Sequence, residues 1–122
     1  MIDHISIQVS DLAASTGFYD AVLAPLGVRR MIELGDVIAY GDDRPQFWLG
    51  RATDSAAARE THLAFGAADR AAVVAFHDAA VRAGAEVLNA PRVWPEYHPS
   101  YFGAFVRDPD GNNVEAVCHV TE

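Results

Sequence analysis

Three features in the first half of this chain return in one register: His4 as His62, Asp11 as Asp69, and Phe18 as Phe76, each 58 residues later. A strand histidine, a helix-capping aspartate and a helix aromatic that repeat together imply that one supersecondary unit occurs twice. Two copies are too few for a solenoid but suit a domain of two modules.

The first copy reads in order. Ile2 to Val9 alternates, with Ile5, Ile7 and Val9 on one face and His4, Ser6 and Gln8 on the other, the pattern of a strand with one wet or functional side. Asp11 caps a helix whose positions Leu12, Ser15, Phe18, Tyr19, Val22 and Leu26 recur at three- and four-residue spacing, and Gly27 ends it. Three short strands follow, Val28 to Leu34, Val37 to Tyr40 and Phe47 to Leu49. A polar, alanine-rich connector runs from Ala52 to Glu60, so module one is expected over residues 1–51 and module two over residues 61–122. From Thr61 the order repeats: a strand carrying His62, a helix from Asp69 to Gly84, then strands Val87 to Val93, Phe102 to Arg107 and Val114 to Val120. Between the first two of these lies an insertion, Trp94 to Tyr101, that module one lacks.

The last two strands read as a hairpin turned by Asp108-Pro109-Asp110-Gly111. Along the second of them Val114, Ala116 and Cys118 point one way and Asn113, Glu115, Val117 and His119 the other. A carboxylate in so apolar a strand needs a partner, because an unpaired buried charge costs several kcal/mol. Aligning the two hairpins at their turns sets Glu115 against Trp48, so only one module offers an acid there. The repeat also puts His4 and His62 at equivalent places, and symmetry is expected to bring them together. Two histidines and one carboxylate make the facial triad that holds a divalent metal and leaves positions free for water, oxygen or a substrate. A metal with free positions polarises a bound oxygen or activates dioxygen.

Composition narrows the partners. The net charge is −8, and all nine basic residues are arginines spread along the chain, with Arg29 and Arg30 the one adjacent pair. Nucleic acid and anionic membranes need a clustered basic surface, so neither is expected as a partner. The single cysteine, Cys118, cannot form an internal disulfide and is expected to be a buried, inert thiol. With no secretory leader ahead of the first strand, a cytoplasmic location is expected.

The opening IDHISIQVSDL with its helix, the strand THLAF and the run DPDGNNVEAV together resemble the vicinal oxygen chelate superfamily, which includes glyoxalase I, fosfomycin and bleomycin resistance proteins, extradiol dioxygenases and methylmalonyl-CoA epimerase. The resemblance spans essentially the whole chain. It implies an α+β fold of two βαβββ modules, curved mixed sheets forming a cleft and helices outside, and it places His4, His62 and Glu115 on the family's metal ligands. It also implies a homodimer, with the modules of one site in some relatives drawn from different subunits. Two departures stand out. Trp48 occupies the place of the acidic fourth ligand of glyoxalase I, and the chain has no lysine of the kind fosfomycin resistance enzymes use for their phosphonate substrate.

The leading expectation is therefore a small metalloenzyme in which His4, His62 and Glu115 hold iron, manganese, zinc, nickel or cobalt, and a small oxygen-chelating substrate undergoes lyase, isomerase, addition or dioxygenase chemistry. His98 and Tyr101 in the insertion are candidate proton carriers. Phe47, Trp48 and Trp94 are candidate pocket walls, and Arg92 a candidate partner for a substrate carboxylate. The alternative is a metal-free protein of the bleomycin resistance type that binds a drug or aromatic metabolite.

Overall fold

A computed structural model describes residues 1–57 and 59–122; Ala58 of the connector lies outside the described residues. Module one runs β1 (Ile5–Val9), α1 (Leu12–Leu23), a short 3-10 turn over Ala24–Leu26, β2 (Arg29–Leu34), β3 (Val37–Gly41) and β4 (Phe47–Arg51). Module two runs β5 (His62–Gly66), α2 (Arg70–Arg82), β6 (Val87–Val93), β7 (Phe102–Arg107) and β8 (Asn113–Cys118). Each module forms its own four-stranded mixed sheet, ordered β1-β4-β3-β2 and β5-β8-β7-β6. In both, the first and last strands pair in parallel and the other pairs are antiparallel. This is the α+β arrangement of two βαβββ modules that the resemblance implies.

The repeated residues do equivalent work. Asp11 accepts the Ala14 N–H at 3.1 Å, and Asp69 accepts the Ala72 N–H at 2.8 Å. Each satisfies one of the donors that a helix start leaves free. Phe18 and Phe76 are both buried under their helices, and Gly27 and Gly84 both take the left-handed conformation just past the helical segment, at φ 76° and 80°. Ser6 pairs with Trp48 in one sheet and Ala64 with Glu115 in the other, so the ladder register itself makes Trp48 the counterpart of Glu115.

Several boundaries move from their sequence-based positions. β1 starts at Ile5, because pairing opens there with the Ile5 N–H on the Gln46 carbonyl at 2.9 Å, and Pro45 before it has no N–H for another rung. His4 thus sits just ahead of the strand. β8 stops at Cys118, where the chain turns towards the insertion.

One core lies between the helices and the helix-facing sides of both sheets, joining Val9, Phe18, Tyr19, Tyr40, Phe47 and Leu49 to Leu63, Phe76, Val106, Val114, Ala116 and Cys118. The modules are pinned across it. Tyr19 donates from its hydroxyl to Asp108 at 2.7 Å, Ser10 donates to Asp110 at 2.6 Å, and the Phe47 and Phe65 rings meet edge to face at 5.2 Å. Asp108 also accepts the backbone N–H groups of Asp110 and Asn112 and the Asn112 side-chain amide, each at 2.9 Å. A carboxylate this buried is tolerable because every acceptor position facing the protein is used.

Candidate functional site

The strand alternation sends Val114, Ala116 and Cys118 into the core and leaves Glu115 on the face of the second sheet that carries no helix. That face is roofed by the insertion. Trp94 is buried, donates its indole N–H to the Gly103 carbonyl at 3.1 Å, and packs edge to face on Phe105 at 5.1 Å. Tyr97 stacks on Trp94 and meets Tyr101 edge to face at 4.9 Å. Beneath this roof lies a cavity of about 390 Å³ lined by His62, Tyr97, Tyr101, Phe105 and Glu115.

Glu115 is only 1% exposed, and among the described residues it has two side-chain partners. His62 Nε2 stands 3.0 Å from Oε2, and the Tyr101 hydroxyl donates to Oε1. The other nitrogen of His62 faces the Asn113 carbonyl at 3.1 Å. A carbonyl only accepts, so Nδ1 carries a hydrogen there and Nε2 is the nitrogen presented to the carboxylate. Burial first, then the hydrogen bond to Glu115 and its charge, push the Tyr101 phenol well above its ordinary value. Tyr101 therefore stays protonated at neutral pH and acts as a donor, not a base.

Space for this group comes from a glycine. A Cβ on Gly103 would lie 3.2 Å from Glu115 Oε1 and 3.3 Å from both the Ala116 carbonyl and Tyr101 Cε1. A side chain here would require the carboxylate, the phenol or the β8 backbone to give way by a few tenths of an ångström.

The remaining sequence-based candidates lie elsewhere. His4 bonds Asp3 at 2.8 Å and turns its ring edge to Trp48, and among the described residues no three His, Cys, Asp or Glu side chains converge as a metal set. Symmetry gives His4 and His62 equivalent places, one just ahead of β1 and the other opening β5, and within one chain it does not bring them to one point. Phe47 is a core residue, packed against Tyr19, Tyr40 and Phe65, because it falls on the helix-facing side of β4. Trp48 lies on the opposite side of that strand, with a buried Nε1 that has no partner among the described residues. Arg92 sets its guanidinium 3.4 Å over the Trp94 ring and pairs with Glu96 at 3.2 Å, outside the cavity. His98 is also outside it, with both ring nitrogens engaged by Ser100 and His119. Nothing in the strand pattern around His119 signals a partner 21 residues earlier. Asn113 and Gly103 were not singled out either, since a backbone carbonyl and a missing Cβ leave no mark on composition.

Known proteins bear on this geometry. The model of the Glyoxalase/Bleomycin resistance protein/Dioxygenase superfamily matches residues 1–116. Among solved structures, a glyoxalase/bleomycin resistance protein from Albidiferax ferrireducens T118 is 27% identical with a TM-score of 0.83, covering 94% of this chain and 96% of that one. Lactoylglutathione lyase from Agrobacterium tumefaciens shares the fold at 23% identity and TM-score 0.71, with 97% and 92% covered. The fosfomycin resistance protein FosX from Mesorhizobium loti does so at 16% and 0.69, with 94% and 88% covered. No curated protein matches the sequence. No helix among the described residues is long and apolar enough to cross a membrane.

Proposed function

The chain belongs to the Glyoxalase/Bleomycin resistance protein/Dioxygenase superfamily, and on that premise we propose that it is a small metalloenzyme whose site is built on Glu115 and His62. The observation that carries this reading is the buried Glu115 carboxylate. Among the described residues its only ion-pairing partner is His62, and no arginine offsets its charge. A carboxylate kept out of water without a permanent cation is costly, and a divalent ion removes that cost.

The residues fit such an ion. His62 and Glu115 supply an imidazole nitrogen and a carboxylate, the donor types that suit iron, manganese, zinc, nickel or cobalt. The Asn113 carbonyl on the far nitrogen of His62 is the outer support that ligating histidines use to fix tautomer and ring orientation. When bound, the metal would polarise a substrate oxygen. Tyr101 would keep its phenol hydrogen on Glu115 Oε1 and so hold the carboxylate in place beside that position. Phe105 and Tyr97 would exclude water and bracket a flat or apolar part of a small substrate.

His4 completes the proposed ligand set from a second copy of the chain. Exposed apolar side chains, Met1, Ile2 and Ile5, surround it in sequence, and the half-buried Trp48 ring adjoins it. Surfaces of that kind are ordinarily covered in an assembly.

Metal content per chain, on protein prepared without chelator or nickel affinity resin, tests the reading. Near-stoichiometric metal should vanish in Glu115→Gln while the far-UV spectrum stays native. Stoichiometric metal retained in Glu115→Gln would sink the assignment. Mixing His4→Ala and Glu115→Gln protein should restore roughly one metal per four chains if sites form between subunits, because about half of all pairs are then mixed and each mixed pair carries one intact set. Wild-type protein that takes up no metal would instead favour a binder of aromatic ligands, for which Tyr97, Tyr101 and Phe105 already form walls.

A further inference from the structure

The segment after β8 returns to the aromatic insertion. His119 Nδ1 lies 2.7 Å from His98 Nε2, the Ser100 and Thr121 hydroxyls are 2.6 Å apart, and Glu122 accepts the Arg70 N–H at 2.8 Å at the start of α2. The Ser100 N–H points at His98 Nδ1 from 3.1 Å, so that nitrogen is an acceptor and carries no hydrogen. In the neutral ring Nε2 must then carry the hydrogen and donate it to His119. Both nitrogens of His98 are committed, and the ring cannot turn without losing a bond.

What this arrangement holds is Tyr101. The His98 and His119 rings lie side by side through their hydrogen bond, with centroids 5.0 Å and planes 24° apart, and both meet the Tyr101 ring in T-shaped contacts, at 5.4 and 5.3 Å. The backbone closes the same loop: Tyr101 N–H donates to the His98 carbonyl at 3.2 Å, and Trp94 N–H to the Tyr101 carbonyl at 2.8 Å. Two imidazoles fix the ring of Tyr101 while its hydroxyl rests on Glu115.

We propose that His119 and His98 are positioning residues that act through Tyr101 to set the Glu115 carboxylate, so that the segment after β8 tunes how tightly the site binds a divalent metal. This rests on the metal site proposed above. His98 is thereby a support for the site and not its proton carrier.

Co2+ titration followed by visible absorption tests it in wild type, His119→Ala, His119→Asn, Tyr101→Phe and the His119→Ala/Tyr101→Phe double variant. His119→Ala and Tyr101→Phe should each weaken Co2+ binding by about ten-fold, the lower end of what lost outer support costs a metal site. The double variant should bind no more weakly than Tyr101→Phe alone, since both changes break one linkage. His119→Asn, whose amide oxygen accepts the His98 N–H, should stay near wild type. A general folding defect would give additive losses and no rescue, and either of those results overturns the proposal, as does unchanged affinity in His119→Ala or in Tyr101→Phe. Wild-type protein that binds no Co2+ refutes the metal reading instead. The clamp is then judged by 19F NMR of protein carrying 3-fluorotyrosine, with Tyr101 assigned by its loss in Tyr101→Phe. Movement of the Tyr101 resonance towards that of the exposed Tyr97 in His119→Ala upholds the clamp, and an unmoved resonance overturns it.

Discussion

Module one and module two are the same frame put to different uses. Their helices start on equivalent aspartates and bury equivalent phenylalanines, and their sheets share one strand order. They differ on the face that carries no helix. Module two has Glu115 there under a roof of Trp94, Tyr97 and Tyr101; module one has Trp48, with no insertion above it. The ladders also set Gly103, opposite Val117, where module one has Val37, opposite Gly50. The helix-facing side is constrained by a shared core, so the copies stayed alike there. The open face was free to diverge, and only one copy acquired a buried acid with the space to hold it.

That comparison can be broken at its strongest point first. Phe18→Ala and Phe76→Ala should each cost about 3–5 kcal/mol, because each empties a buried aromatic site. Denaturant unfolding should give similar losses for the two, and a large inequality would mean that the duplicated cores are not equivalent. Asp108→Ala should cost about 3 kcal/mol by leaving Tyr19 and Asn112 without their buried acceptor. Asp42, in the corresponding turn of module one, is exposed, and Asp42→Ala should shift the melting temperature far less.

Gly103→Ala should cost roughly 1–3 kcal/mol by overpacking. It should weaken metal binding as well, since the new methyl lies against Glu115 and Tyr101. Val37→Ala, at the corresponding place in module one, should leave metal binding unchanged.

The smallest effect is a pH dependence carried by Asp20. Partial burial raises its carboxyl, but hydrogen bonds from Arg30 and Tyr40, with the Arg30 charge, outweigh that and hold it below the usual carboxylate value. A depressed folded value means its contribution is present above the unfolded value near 4 and is lost as the pH falls through the folded one. Asp20→Asn should therefore flatten stability against pH below about 4, at a cost under about 1 kcal/mol near pH 7 because the pair is partly solvated. Asp78, the same place on α2, has only His77 as a partner among the described residues, and Asp78→Asn serves as the control.

Much of this protein was legible in its sequence because the signals are local or periodic. The 58-residue register, the two aspartate caps and the Asp108 to Gly111 turn each depend on a few neighbouring dihedrals and hydrogen bonds. The two-residue period of β8 put Glu115 opposite the core side, and the repeat aligned it with Trp48. Tertiary structure alone decided which faces meet. Phe47 went into the core because α1 packs on its side of β4, while His4, just ahead of β1, and His62, at the start of β5, remained apart despite their equal places in the repeat. His98 became a partner of His119 and not of Glu115 because the chain after Cys118 folds back over the insertion. These contacts join residues tens of positions apart. Periodicity fixes the face on which a side chain lies, and only the packing of the modules fixes what stands across from it.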